Sequence, residues 1–216
     1  MTRSRTLRLT ALLLGAVVVL AAPACSSDEP AAPAAPVDFS GYVRTPRPSV
    51  GSVTLPAADG SPVTMTAPRG GLRVVYFGYT FCPDVCPTTM LDLKRAIAQL
   101  PADDVPRLTV DMVTIDPGRD TAAKLTEYVT TFVPTATAVR TEDQTALRAA
   151  TRAFGADYEV RVGADGEEEV SHTGDLYAVD DRGEVVLTWP FGTQSPDLAR
   201  DLARLLRGER PSSDQD

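Results

Sequence analysis

The sequence predicts an α/β domain, a sandwich in which helices flank a central mixed β-sheet. Two observations support this prediction. Continuous apolar runs rich in β-branched and aromatic residues are typical of buried strands, and amphipathic stretches of helical length separate several of them. Because strands and helices interleave from residue 39 to residue 208, we expect one domain with a single sizeable core.

The first half of the domain begins with an N-terminal hairpin. Short β-prone runs at 51–55 and 62–66 flank a turn signal at 58–60. The apolar run 72–79 predicts a central buried strand. Residues 87–100 predict a helix, because proline occupies the first turn and apolar side chains share one face.

The second half continues the alternation. The patterns predict strands at 108–115, 158–162, 174–179 and 185–189, and helices at 121–132, 142–154 and 195–207. Arg182 and Gly183 form the turn between the last two strands, so the domain has a hairpin at each end.

Two cysteines and the sole histidine are the residues best suited to chemistry. Cys82 and Cys86 are four positions apart, and His172 is the one imidazole in the sequence. Thiolates are soft ligands and imidazole is borderline, so two sulfurs and one nitrogen suit copper as Cu(I) or Cu(II). A structural zinc site usually has four protein ligands, whereas three leave a position open for exchange.

The predicted fold places both cysteines where α/β proteins commonly have their sites. They follow the C-terminal end of the strand at 72–79, where the chain enters the helix at 87–100. The unpaired amides of a helix N-terminus stabilise a thiolate, and a spacing of four residues puts both sulfurs on one face. The same geometry serves a shared metal or a disulfide.

Three segments of the domain form a distinctive set. They are Tyr-Thr-Phe-Cys-Pro-Asp-Val-Cys-Pro-Thr-Thr at 79–89, Thr-Ile-Asp-Pro-Gly-Arg-Asp-Thr at 114–121, and His172 ahead of Leu-Tyr-Ala-Val-Asp. Together they resemble the Sco/SenC family over nearly the whole domain. Members of that family are thioredoxin-like copper-binding proteins that help assemble the dinuclear copper centre of cytochrome c oxidase subunit II.

The resemblance implies a thioredoxin-like fold and copper held by Cys82, Cys86 and His172. It also implies that the cysteine pair can cycle between a dithiol and a redox-active disulfide. The expected partners are cytochrome c oxidase subunit II or its assembly factors, together with a thiol-disulfide reductase. The protein would then be a metallochaperone rather than an enzyme.

Other interpretations of these residues remain open. The cysteine pair alone also fits an inert disulfide, and His172, downstream of an acidic run at 167–169, fits an exposed loop. A thiol-disulfide oxidoreductase that keeps partner cysteines reduced would use both sulfurs, but it has no need of the distant imidazole. A thiol peroxidase would leave the second cysteine and His172 without a role.

Three aspartates within these segments have simpler expected roles. Asp84 lies between the cysteines, either as a solvated loop residue or as a charge that tunes the metal or contacts a partner. Asp116 and Asp120 bracket a turn at a strand end. For them we expect turn formation and helix N-capping by Asp120, in preference to support of the metal ligands.

The N-terminus has the pattern of an export signal. Arginines precede an apolar stretch at 9–22, and small residues lead to Cys25, which resembles a bacterial lipoprotein signal. We therefore expect a signal peptide at 1–24 and lipidation of Cys25, in preference to an ordinary cleaved signal peptide or an uncleaved signal anchor. A Pro/Ala-rich tether at 25–38 and a flexible tail at 209–216 would flank the domain. The domain would be extracytoplasmic, anchored to the outer face of the cell membrane as a lipoprotein.

The charge of the chain argues against nucleic acid as a partner. The sequence has 21 basic and 29 acidic residues, and removal of residues 1–24 leaves 18 basic residues and a net charge of −11. A surface this acidic repels phosphate backbones and anionic lipid. Membrane attachment is therefore expected only through the lipid on Cys25.

Overall fold

The computed structural model describes residues 38–163, 166 and 168–211. The predicted signal peptide, Cys25 and all of the tether except Asp38 lie outside these residues. Among the residues described, no helix has both the length and the apolar character needed to cross a membrane. The predicted fold class is confirmed, with helices around a five-stranded mixed sheet and a hairpin ahead of it.

The described residues form nine strands and four α-helices. The strands are β1 (Thr54–Pro56), β2 (Pro62–Thr64), β3 (Leu72–Gly78), β4 (Leu108–Thr114), β5 (Thr137–Val139), β6 (Tyr158–Val162), β7 (Glu168–His172), β8 (Leu176–Val179) and β9 (Val185–Trp189). The helices are α1 (Val85–Ile97), α2 (Ala122–Phe132), α3 (Gln144–Phe154) and α4 (Ser195–Leu206). A short 3-10 helix, Val105–Arg107, precedes β4.

The central sheet has the strand order β5-β4-β3-β8-β9. β3 runs parallel to β4 and antiparallel to β8, while β5 continues the parallel side and β9 the antiparallel side. Two separate pairs, β1 with β2 and β6 with β7, are antiparallel hairpins outside this sheet. The cysteine segment therefore leaves the middle strand of the sheet, as expected.

Successive side chains of the middle strand point to opposite faces of the sheet, and both faces are covered by other parts of the domain. Phe77 packs edge-on against Phe154 of α3, with ring centroids 5.2 Å apart. Tyr76 is fully buried and points to the opposite face, which carries Cys86 of α1. β3 is thus the element around which the core and the cysteines are arranged.

Several boundaries differ from the sequence predictions. α1 begins at Val85, so Cys86 lies in its first turn. The prediction that Asp120 caps α2 is wrong, because Thr121 is the N-cap residue and its side chain accepts a hydrogen bond from the backbone N–H of Lys124. Two strands, β5 and β7, are absent from the prediction.

The β6–β7 pair changes the expected surroundings of the histidine. His172 is the last residue of β7 and is directly opposite Tyr158 of β6. It is half-buried, so the interpretation as an exposed loop residue is wrong.

The first described residues are fixed along β9 and α4. The backbone N–H of Ser40 donates to the carboxylate of Asp201 at 2.8 Å, and the indole Nε1 of Trp189 donates to the same oxygen at 3.0 Å. Tyr42 forms an isolated antiparallel bridge with Thr188. The chain therefore enters the domain beside the C-terminal end of β9.

At the other terminus, three residues of the predicted tail contact the domain. Glu209 accepts from Nε of Arg204 at 2.7 Å, Arg210 donates to the carbonyl of Leu205 at 3.0 Å, and the carbonyl of Pro211 accepts from Arg47 at 3.1 Å. The remaining tail residues lie outside those described.

Candidate metal centre

The two cysteines are held by the junction between β3 and α1. Cys82 lies in the loop after β3 and Cys86 in the first turn of the helix. The backbone N–H of Cys86 donates to Sγ of Cys82 at 3.3 Å, whereas the N-cap residue Asp84 makes no side-chain capping bond. One sulfur therefore satisfies an amide that the helix N-terminus would otherwise leave unpaired.

His172 points its Nε2 atom at the sulfurs. Its Nδ1 lies 3.0 Å from the carbonyl oxygen of Thr173, and because a carbonyl only accepts, Nδ1 carries the proton. The lone pair of the ring is then on Nε2, which lies 3.5 Å from Sγ of Cys86. A hydrogen bond of this kind to the remote nitrogen is how metal-binding histidines are commonly oriented.

The three donor atoms of Cys82, Cys86 and His172 all lie within 4.8 Å of one another. Metal–sulfur bonds of about 2.3 Å and metal–nitrogen bonds of about 2.0 Å allow two donors on one ion to be up to roughly 4.6 Å apart. The structure thus brings together the three residues that the sequence singled out, and a shift of a few tenths of an ångström would put all three donors within reach of one ion. Both cysteines are free thiols.

Burial shifts the pKa values of Cys86 and His172 in opposite directions. It raises the pKa of the Cys86 thiol to about 12. It lowers the pKa of His172, so the neutral imidazole is favoured. Desolvation of the buried Cys86 sulfur thus opposes the stabilisation of a thiolate that is expected from the helix N-terminus.

One side of the centre is open to solvent. A cleft of about 360 Å³ is lined by Tyr79, Cys82, Val85, Val170 and His172, among others. Asp84 is exposed at the edge of this cleft and is not among the grouped donors. An incoming ligand can therefore approach the donors without unfolding of the domain.

The remaining walls are aromatic and closely fitted. The rings of Tyr76 and Tyr79 meet the imidazole of His172 edge-on, with centroids 6.1 and 5.8 Å away. Gly78 has no side chain at the point where a Cβ would lie 2.6 Å from Cε1 of Tyr76 and 3.0 Å from Sγ of Cys86. The sequence analysis missed Gly78, although a glycine at the end of a buried strand is a signal for close approach.

Asp120 supports the cysteine loop from below. It is fully buried and accepts hydrogen bonds from the backbone N–H of Thr80 at 3.1 Å, from the Thr80 hydroxyl at 2.5 Å and from the Thr114 hydroxyl at 2.6 Å. These bonds join the loop after β3 to the end of β4. Asp120 therefore has the supporting role that the sequence analysis ranked below helix capping.

Asp116 and Arg119 connect the same region to the histidine hairpin. Asp116 is buried and its carboxylate lies 2.5 Å from Nε of Arg119. The same nitrogen lies 3.0 Å from the carboxylate of Glu168 on β7. The sequence analysis did not single out Arg119.

Comparison with known proteins identifies the family. Residues 44–207 match the family model described as SCO1/SenC. The chain belongs to the SCO1/SenC family. The family resemblance predicted from the three sequence segments is thereby confirmed.

Similar proteins agree with this assignment. A candidate copper-binding protein of Stutzerimonas stutzeri is 30% identical over 142 residues, which cover 66% of this chain and 69% of that protein. The apo Sco1 protein from Thermus thermophilus matches with a TM-score of 0.66 at 29% identity, over 81% of this chain and 98% of that one. Bradyrhizobium japonicum ScoI with copper bound matches with a TM-score of 0.63 at 25% identity, over 72% and 99%.

Proposed function

We propose that this protein is an extracytoplasmic copper chaperone that delivers copper to, or prepares, the dinuclear copper site of cytochrome c oxidase subunit II. The proposal rests on one observation: the donors of Cys82, Cys86 and His172 converge within 4.8 Å in a member of the SCO1/SenC family. A relative with the same fold, ScoI of Bradyrhizobium japonicum, has been solved with copper bound.

The donor set suits a carrier that handles copper in two oxidation states. Two thiolates alone bind Cu(I) in a nearly linear site, whereas Cu(II) prefers the added nitrogen of His172. Because the centre has an open cleft beside the donors, a ligand from an acceptor protein can enter before the copper leaves. Cytochrome c oxidase subunit II or one of its assembly factors would supply that ligand.

A second function, thiol-disulfide oxidoreductase, is favoured by the free thiols. Cys82 and Cys86 form no disulfide in the structure, and the backbone N–H of Cys86 donates to Sγ of Cys82 at 3.3 Å. They could close a redox-active disulfide and so keep partner cysteines reduced. Cys82 would be the attacking sulfur, because Cys86 is fully buried. This role leaves His172 unused.

Anaerobic copper titration of the reduced protein tests the proposal. We expect one copper per chain, with intense thiolate-to-Cu(II) charge-transfer bands that are lost in Cys82→Ser and in Cys86→Ser. Cys25→Ser is the matched control, because it removes the cysteine that is not part of the donor group, and it should bind copper as the wild type does. Equal copper uptake by the Cys82→Ser/Cys86→Ser double variant would refute the proposed site.

His172→Ala separates the two functions in cells. Both functions need the cysteines, so their loss does not discriminate. If the protein is a chaperone, cells that carry His172→Ala should lose cytochrome c oxidase activity when copper is scarce and regain part of it when copper is added. If the protein is a reductase, cells with the same substitution should have the oxidase activity of wild-type cells.

The lipid anchor on Cys25 is a separate part of the proposal. The fraction of the protein that sediments with membranes should fall sharply in Cys25→Ser, while copper binding by the released protein is unchanged. Release of the wild type and the variant to the same extent would exclude lipidation at this residue.

A further inference from the structure

The β6–β7 hairpin carries His172 but is packed less completely than the rest of the domain. It forms a two-stranded sheet of its own, and of its ten residues only Tyr158 is buried. Tyr158 is directly opposite His172, and its hydroxyl donates to Gln144 of α3 at 3.0 Å. One end of the hairpin is therefore attached beside the histidine.

The other end of the hairpin is attached through Glu168. This residue begins β7, four residues before His172, which in an extended strand is a distance of about 13 Å. Its carboxylate lies 3.0 Å from Nε of Arg119, in the loop between β4 and α2. The hairpin is thus held at two points with the imidazole at one end.

Arg119 also contacts the segment that carries the cysteines. Its guanidinium lies 5.8 Å from the ring centroid of Tyr79 and 5.2 Å from that of Phe81, the residue before Cys82. The same side chain therefore touches the cysteine loop, its own loop through Asp116, and the histidine hairpin.

We propose that Arg119 and Glu168 form a latch that positions His172 against the two sulfurs when copper binds. The inference rests on the proposed copper site and adds two positioning residues to it. With the ion pair closed, the hairpin cannot swing away from the cysteine loop. When the ion pair is open, the hairpin can rotate about its attachment at Tyr158. Nε2 of His172 then lies beside the two sulfurs for a smaller fraction of the time.

The two ion pairs of Arg119, one with Asp116 and one with Glu168, differ in strength. Asp116 is 5% exposed in its side chain and holds Arg119 by a short hydrogen bond, whereas Glu168 is 42% exposed and pairs with Arg119 at a longer distance. Opening therefore separates Glu168 from Arg119 and leaves Arg119 with Asp116. An exposed pair of this kind is weakened by salt.

Glu168→Gln tests the latch, with Glu159→Gln as the matched control. Glu159 is on the same hairpin and pairs with Arg161 on its own strand, at 2.6 Å, so its loss changes the charge equally without releasing the hairpin. We expect Glu168→Gln to weaken Cu(II) binding about fivefold, the upper range for an exposed ion pair. Cu(I) binding should be unchanged, and Glu159→Gln should match the wild type in both.

A double-variant cycle shows whether the latch acts through the histidine. In a His172→Ala background, Glu168→Gln should have no further effect on Cu(II) affinity, because the group it positions is absent. An equal loss in both backgrounds would overturn the proposal. Loss of Cu(I) affinity in Glu168→Gln would also overturn it, since the sulfurs do not depend on the hairpin.

Two measurements extend the test beyond affinity. In the copper-free protein, backbone amides of β6 and β7 should exchange hydrogen faster in Glu168→Gln than in Glu159→Gln, and equal rates would refute the latch. Raising the salt concentration should lower the Cu(II) affinity of the wild type towards that of Glu168→Gln and change the variant less. Failure of the wild type to bind copper would instead refute the proposed function.

Discussion

The cysteine half and the histidine half of the centre are built in different ways. Cys82 and Cys86 follow the middle strand of the sheet and are buried, and the fully buried Asp120 supports their loop by accepting hydrogen bonds from Thr80. His172 ends an exposed hairpin that is a separate sheet. The first half is part of the core, whereas the second is an attachment to it.

This difference matters for the proposed chaperone function, in which the protein both holds and releases copper. A ligand pair fixed by the core keeps its geometry with or without metal. A ligand on a hairpin held by an exposed ion pair can be withdrawn at small free-energy cost. We therefore expect substitutions in the cysteine half to affect stability and both copper states, and substitutions in the histidine half to affect Cu(II) alone.

Removal of the support under the cysteines should have the largest effect. Asp120→Ala leaves the N–H and hydroxyl of Thr80 and the hydroxyl of Thr114 without their acceptor. We expect a loss of about 3 kcal/mol in the free energy of unfolding, measured with urea, and weaker binding of both Cu(I) and Cu(II). Asp143→Ala, which removes an N-cap of α3 instead, should cost about 1 kcal/mol and leave copper binding intact. Equal losses in the two variants would contradict the supporting role of Asp120.

His172→Ala should separate the two copper states most clearly. We expect Cu(II) affinity to fall by about 100-fold, since ligand loss is at least as costly as loss of a ligand's support. Cu(I) affinity should change little, because both thiolates remain. The free energy of unfolding should stay close to that of the wild type, because the side chain is only half-buried. Comparable losses for Cu(I) and Cu(II) in competition titrations would indicate a structural role for His172.

A methyl group added beside Cys86 should disturb the cysteine half alone. In Gly78→Ala the new Cβ would be 2.6 Å from Tyr76 and 3.0 Å from Sγ of Cys86, inside the core. We expect destabilisation by about 2 kcal/mol and weaker binding of both copper states. Gly118→Ala is the control, because its Cβ would meet only Asp116, at 3.9 Å. Wild-type copper affinity in Gly78→Ala would show that the packing of Gly78 against Tyr76 and Cys86 is looser than described.

The pH dependence of copper affinity should come from the cysteine half. Because burial raises the pKa of Cys86 to about 12, its thiol is protonated at neutral pH and copper must displace that proton. Each proton released makes the apparent affinity rise about tenfold per pH unit, or about 1.4 kcal/mol. The pKa of His172 is lowered, so at neutral pH and above it has no proton to release from Nε2.

Two variants check the origin of that slope. In His172→Ala, the slope of copper affinity against pH between pH 7 and 9 should be the same as in the wild type. The Cys86 proton contributes about one order of magnitude per pH unit to that slope. Cys86→Ser should reduce it. An unchanged slope in Cys86→Ser would assign the released proton to another group.

The cysteine half was largely predictable from the sequence, because its signals are local. A continuous apolar run predicts the buried strand, and Cys82 and Cys86 follow it before a helix. The role of Asp120 was not predictable in the same way. Asp120 and Thr121 are adjacent and both types cap helices, so only the backbone path shows that Thr121 caps α2 while Asp120 turns inward.

The histidine half was predicted less well, because its structure depends on distant partners. β7 begins with two glutamates and has little apolar character, so its strand is set by pairing with β6 rather than by a hydrophobic pattern. β5 is only three residues long and gives too short a pattern. Arg119 contacts Glu168 and Phe81, which are 49 and 38 positions away in the sequence. No local sequence pattern predicts these contacts.

The entry point of the chain also has a mechanical consequence. Ser40 is fixed at Asp201 beside Trp189, Trp189 is opposite Leu176, and Leu176 is opposite Tyr76, two residues before Gly78. The chain thus enters the domain at the edge of the sheet from which the cysteine loop emerges. A force applied to the chain at its first described residues therefore acts on the same side of the domain as the three donor atoms.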